Sequence, residues 1–251
     1  MLLGVDVARL DQAEPLLTMK SSRFFAGAGS DLPWERKAMK TLIRFVLIIP
    51  LALMEAGVRA AGVEFLAFDP QALPAGIQTQ GKIVAGARWR DRLGENLLVA
   101  TQTGARSSRN AGCGADDEPC FDAEVHADHY LVRPGGVERW WTLTDFERDC
   151  RFDLYAGFLP DGLTITDLDG DGLAESTLLY TLSCRSDVSP ARLKLILHEG
   201  KAKYAIRGTT RTYGVGGEKT VDPALEQNAP FQRFALERWN RFVHETEFQQ
   251  F

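Results

Sequence analysis

The chain has 251 residues, 45% hydrophobic and 25% charged, the composition of an ordinary globular protein with room for one large or two small domains. It carries 29 basic and 34 acidic residues. An acidic chain is a poor partner for nucleic acid, whose phosphates demand clustered Lys and Arg. Nor is it drawn to anionic lipid by charge.

Met39 to Arg44 form a short basic stretch, and "FVLIIPLALM" (Phe45–Met54) is an apolar run of ten residues. Val58-Arg59-Ala60 then places small or aliphatic residues at −3 and −1 of a cleavage point. This is the layout of a secretory signal peptide over 39–60, cleaved after Ala60. The run is shorter than the about 20 residues that cross a bilayer, and Pro50 interrupts it. The expectation is a periplasmic or secreted protein with no stable membrane span after cleavage. Residues 1–38 lie upstream of a complete signal with its own Met39, and read as a mis-called start or a disordered extension. The remainder, 61–251, is expected to be a single domain. Residues 1–60 hold eight of the basic and six of the acidic groups, so the remainder carries −7.

Within it, short alternating runs dominate. "GKIVAGARWRD" leads to "LGENLLVATQTG", and "HADHYLVRP" passes through Gly135-Gly136 to "VERWWTLTD". "RFDLYAGFL" precedes the turn signal Pro160-Asp161-Gly162. In "ARLKLILHEGKAKYAIRG", Leu193, Leu195 and Leu197 alternate with Lys194 and His198, Glu199-Gly200-Lys201 turns, and Tyr204 and Ile206 return. That is a hairpin, with Ile196 breaking the alternation so that both faces are covered there. At the end, Pro230 opens a helix on which Phe231, Ala235, Trp239, Phe242 and Val243 recur at helical spacing. The fold class is therefore mainly β, antiparallel strands and hairpins arranged as a sandwich or partial propeller, with one C-terminal amphipathic helix over the sheet. "ARWRDRLGENLLVATQT" echoes "TDLDGDGLAESTLLYTLS", which aligns Asp91, Gly94 and Glu95 near Asp171, Gly172 and Glu175. Two loose copies do not make a solenoid.

Cys113, Cys120, Cys150 and Cys184 are four, an even number in an exported chain, and read as two disulfides. Three pairings are open. Cys113 with Cys120 closes the polar loop "CGADDEPC", and Cys150 with Cys184 then staples two strands across the acidic loop. A zinc site is the rival, weakened by the lack of a CxxC pair.

"DLDGDGLAE", residues 167–175, sets Asp167, Asp169, Asp171 and Glu175 within nine residues. Numbered from Asp167, the acids fall at 1, 3, 5 and 9, Gly172 at 6 permits a sharp bend, and Leu173 at 7 offers a carbonyl. Calcium, a hard cation taking six to eight oxygens, is caged this way. Position 12 is Leu178 in a strand-like run, so this is not an EF-hand. The alternative is an Asp-Gly turn with solvated carboxylates.

The stretch resembles the DxDxDGxxD/E loop of FG-GAP and VCBS-type repeats, in which a calcium loop leads into a strand; Glu175 stands where Asp is commoner. More widely, Asp149-Cys150, Asp167 to Glu175, Tyr180, Cys184, Asp187 to Pro190, Lys194, Lys203, Arg207-Gly208, "WRDRLGEN" and "LERWNRF" are similar to a bacterial family of exported proteins labelled surface polysaccharide biosynthesis proteins. The resemblance spans about residues 80–243; residues 1–38 and the Cys113–Cys120 loop do not map onto it. It implies a role near surface glycans and brings no catalytic residue.

Other groupings read as structure. His126 and His129, near Glu124 and Asp128, would face opposite sides of a strand and not share an ion, leaving them surface polar residues. Trp89 and Trp140-Trp141 read as core before sugar platform. Asp187 and Ser189 lack the setting of a hydrolase nucleophile and read as a capped turn. Asp145, Glu147, Asp149 and Asp153 could furnish a carboxylate pair only if the fold sets two of them about 5–10 Å apart. The expected function is thus a calcium-stabilised, non-catalytic binding or structural domain at the cell envelope, with a surface glycan as partner. The alternative is a glycoside hydrolase-like enzyme using acids near 167–175.

Overall fold

The computed structural model describes residues 62–110, 113 and 119–245. The signal peptide expected at 39–60, and residues 1–38, lie outside the described residues. The protein is mainly antiparallel β. One sheet is built from β1 (Glu64–Leu66), β2 (Lys82–Asp91), β3 (Gly94–Gln102), β4 (Arg106–Ser107), β5 (Phe121–Arg133) and β6 (Gly136–Cys150). They run in the order β1-β2-β3-β5-β6, with β4 continuing the line of β3 along β5. The second sheet holds β7 (Asp153–Phe158), β8 (Thr164–Thr166), β9 (Glu175–Arg185), β10 (Arg192–Glu199), β11 (Ala202–Thr209) and β14 (Lys219–Val221). Its order is β14-β11-β10-β9, with β7 and β8 end to end along the free side of β9. A ribbon of β12 (Arg211–Thr212) and β13 (Val215–Gly216) stands apart.

Period-two alternation decides which side chains meet. Trp89, Leu98, Val125, Ala127 and Leu143 of the first sheet pack against Phe158, Leu178, Tyr180, Leu182 and Ile196 of the second. This is a sandwich. The other face of the second sheet presents Leu179, Leu193, Leu195, Leu197 and Ile206 to the helical layer. Ile196 therefore breaks the alternation of its hairpin because β10 is covered on both sides.

The expected helix is α2 (Ala229–Phe242), capped by Asn228 and carrying Pro230 in its first turn. Phe231, Ala235 and Trp239 are its buried stripe. A second, unexpected helix of four residues, α1 (Pro223–Glu226), precedes it; Asp222 caps it by accepting from the Ala224 amide at 3.0 Å. Phe68 crosses the outer face of the first sheet at Gly86. A Cβ there would stand 2.1 Å from the ring, so only glycine admits Phe68.

Cys113 pairs with Cys120 and Cys150 with Cys184, each with Cα atoms 5.6 Å apart. The second bridge ties the end of β6 to β9 and so pins one sheet to the other. Closing a loop of that length is worth about 4 kcal/mol in the chain-entropy picture. Among the described residues, no helix is long and apolar enough to cross a membrane.

Candidate metal centre

The acidic loop closes a hairpin between β8 and β9, whose last pair is Thr166 with Glu175. Gly170 (φ 76°) and Gly172 (φ 79°) supply the left-handed turns that let eight residues fold back so tightly. The Asp side chains brace the loop. Asp169 Oδ1 accepts from the Asp171 amide at 3.2 Å, Asp171 Oδ1 from the Leu173 amide at 2.7 Å, and Asp167 Oδ2 from the Gly172 amide at 3.2 Å. Leu173 leans toward the β10–β11 turn, its Cδ2 3.7 Å from where a Cβ on Gly200 would stand.

Glu175 is wholly buried. Its Oε2 accepts from the Leu168 amide at 2.8 Å and the Thr166 hydroxyl at 3.2 Å. Its Oε1, and Asp167 Oδ1, are buried with no hydrogen-bond partner. Oxygens of Asp167, Asp169 and Glu175 all lie within 4.8 Å of one another. Burial, aided by Asp169, pushes the Glu175 carboxyl up to about 7.

The four acids do not share one centre as the loop numbering suggests. Asp171 turns away from the first trio and joins Asp169 and Glu199, again within 4.8 Å. Glu199, at the end of β10, sits directly opposite Glu175 in the strand register. Burial and the charges of Asp169 and Asp171 raise its carboxyl. Asp171 also has a cation of its own. Arg92 Nη2 lies 3.0 Å from its Oδ2 and Nη1 donates to its carbonyl at 2.9 Å. The Arg92 amide donates to the Gly172 carbonyl, and the Ala174 amide to Asp91 Oδ2. The two echoing segments of sequence are thus in contact, the β2–β3 turn locked onto the acidic loop, with no propeller built from them. Neither Glu199 nor Arg92 was among the residues expected at this site. Glu199 was recognisable only as the turn residue of its hairpin.

All the carboxylates are hard oxygen donors, and two buried oxygens lack a donor. That set suits a calcium-like cation, which takes oxygen ligands in a flexible shell. A zinc ion, with its preference for sulfur and nitrogen, does not fit it.

The other groupings resolve as follows. His126 and His129 do face opposite sides of β5, but both are buried, which corrects their reading as surface residues. His126 lies on the outer face, with Nε2 2.8 Å from Glu124 Oε2 and Nδ1 3.2 Å from Thr144 Oγ1. Burial opposes charge on Glu124, yet Arg148, His126 and Arg106 outweigh it and hold the carboxyl below its usual range. His129 enters a ladder of rings through the core: Trp89, His129, Trp141, His198, with centroids 5.1, 5.4 and 4.0 Å apart. Trp140 is covered by the Lys201 ammonium at 4.2 Å.

Asp145 points between the sheets. It takes the Tyr180 hydroxyl at 2.8 Å and a short ion pair from Lys194. Glu147 pairs with Arg192, Asp149 accepts from Ser108 and Asn110, and Asp153 is exposed. Asp187 caps its turn through the Ser189 amide at 2.8 Å. A 760 Å³ cleft between the β2 and β7–β8 edges is walled by Phe65, Tyr155 and Phe158, and among the described residues Asp161 is the only carboxylate on its lining. Paired-carboxylate hydrolysis needs two. No protein-family model, curated protein or solved structure matches the chain.

Proposed function

We propose that the protein is a calcium-stabilised module exported to the periplasm or beyond, with a binding or structural role at surface polysaccharide. The observation that carries the calcium reading is the Glu175 carboxylate, wholly buried, its Oε1 without a donor and within 4.8 Å of oxygens of Asp167 and Asp169. An ionised carboxylate taken out of water with two acidic neighbours is costly unless a cation offsets it. Outside the cytoplasm calcium is abundant enough to fill sites of the order of 10⁻⁴–10⁻³ M. Export is supported by the signal-like segment before Ala61 and by two disulfides, which persist in oxidising compartments. The glycan reading is supported by the cleft, which is lined by the exposed ring of Phe65, with Tyr155 and the largely buried Phe158 in its wall, since aromatic linings suit sugar rings.

Thermal melts of the full protein and of Glu175→Gln, each with calcium and with chelator, test it. Calcium at a hundredfold excess over Kd stabilises the parent by about 2.7 kcal/mol. Glu175→Gln removes the buried charge while its amide oxygen still accepts from Leu168 and Thr166. It melts above the parent in chelator and below it in calcium. Superimposed parent melts in calcium and chelator would reduce the loop to a plain turn.

A further inference from the structure

At the far end of α2, a 220 Å³ pocket is lined by Arg211, Lys219, Trp239, Asn240 and His244, and among the described residues no acidic side chain lies on its wall. The fold places these groups deliberately. The chain after α2 pairs with β12 through the Arg211 amide on the Val243 carbonyl (2.6 Å) and the Glu245 amide on the Arg211 carbonyl (3.0 Å), which brings His244 beside Arg211. Gly217, in a left-handed turn (φ 90°), leaves room for the Arg211 side chain; a Cβ there would stand 2.9 Å from Nε. Arg211 Nε donates to the Gly216 carbonyl at 3.3 Å. Among the described residues Lys219 and His244 have no ion-pair partner; of the two acids beside them in sequence, Glu245 is held by Arg185 and the Thr210 hydroxyl, and Glu218 accepts from the Thr209 hydroxyl while feeling the Arg211 charge.

The end of a helix attracts cations, but only with about half a negative charge. Arg241 already occupies the last turn of α2. Converging Arg211, Lys219 and His244 exceeds what the helix asks for, in a chain whose net charge is −5.

We propose that this pocket binds an oxyanion, the carboxylate, sulfate or phosphate group of an anionic ligand. Its volume is below the about 300–1,000 Å³ of sites that enclose a drug-sized molecule, so it grips one charged group and leaves the rest of the ligand outside. Arg211 and Lys219 supply charge-assisted hydrogen bonds, Asn240 a neutral donor, and Trp239 the apolar floor. None of these residues belongs to the acidic loop, so the site stands whether or not the loop holds calcium.

The test is a melt of the full protein against sodium sulfate and sodium glucuronate, with sodium chloride at matched ionic strength. Calcium is removed with a chelating resin, since a soluble polycarboxylate chelator would compete for the pocket; a second series in calcium keeps the outcome separate from that of the loop. Sulfate stabilises proteins generally by exclusion from their surface, so the readout is the difference between the parent and Lys219→Ala/His244→Ala. Both replaced side chains are exposed, and the double variant should fold as the parent does. A saturable rise in the parent is expected, with apparent affinity about tenfold or more weaker in the double variant. Lys219→Glu supplies a carboxylate of its own and should respond to neither anion. A response to sulfate alone assigns the pocket to tetrahedral anions, and a response to glucuronate assigns it to carboxylates. Equal responses in parent and double variant, or a chloride control that reproduces the rise, would overturn the proposal.

Discussion

Acidifying the protein in excess calcium chloride from pH 7 to 4.5 should lower its unfolding free energy by as much as about 5 kcal/mol through two histidines alone. His129 and His198 are almost wholly buried. His129 lies between Trp89 and Trp141 with Nε2 2.9 Å from Asn96 Oδ1, and its Nδ1 has no partner. His198 stacks on Trp141, and its Nδ1 is likewise unpartnered. A proton on either ring would sit in the core with nothing to solvate it. Burial pushes His129 down to about 4, against the pull of Asp91. Burial, with Lys203 and His129 nearby, pushes His198 to about 3.

Both folded values lie below the unfolded value of about 6.5. Between those limits the unfolded chain binds protons that the folded one refuses. The stabilisation is therefore complete above pH 6.5 and is lost as the pH falls toward 4 and then 3. Two units below 6.5, at about 1.4 kcal/mol per unit and per ring, give the figure. Glu175 works in the opposite sense in calcium-free solution, because its raised carboxyl favours the fold as it takes up a proton; a cation held at the proposed site would remove that contribution. Urea unfolding across this range, for the parent and for His129→Gln/His198→Gln, isolates the histidines. The slope of stability against pH should flatten in the double variant, whatever its packing loss. Parallel curves would mean that the rings do not resist protonation.

Trp239→Ala should cost about 3–5 kcal/mol, the range for deleting a large buried ring. Trp239 is 1% exposed, and with Phe231, Ala235 and Val243 it covers Leu193, Leu195 and Leu197. A helix of this length is marginal alone, so its stability comes from that contact. Phe152→Ala is the control. Phe152 is 58% exposed, and its loss should stay within about 0.5 kcal/mol. Denaturant midpoints of the two variants decide. A loss below about 1 kcal/mol at Trp239 would show that the helical layer contributes little.

The helix was legible because Phe231, Ala235 and Trp239 repeat at a period that only one geometry satisfies, and packing then rewarded that pattern. The β10–β11 hairpin was legible for the same reason, its turn residues lying between alternating leucines. The four-residue α1 has too little length to show a period. Its one signal was Asp222 before Pro223, an acid cap followed by a residue suited to a first turn. The acidic set was only half readable. Asp167, Asp169 and Glu175 are neighbours in the chain, whereas Glu199 reaches them only because β9 and β10 pair with Glu175 opposite Glu199. Arg92 arrives from the other sheet, through contacts between two turns that no local pattern encodes. The histidines were misjudged for a related reason. Alternation correctly put them on opposite faces of β5, but it does not reveal that both faces are covered.

The most direct measurement is a calorimetric titration of resin-treated protein with calcium chloride. One site per chain is expected, with Kd in the millimolar range or tighter, and Glu175→Gln and Asp169→Ala should abolish the heat. Arg92→Ala should leave the site intact or tighten it, because Asp171 loses a competing cation. No heat of binding in the parent at millimolar calcium, or the same isotherm in Glu175→Gln, would contradict a cation at the centre of this loop.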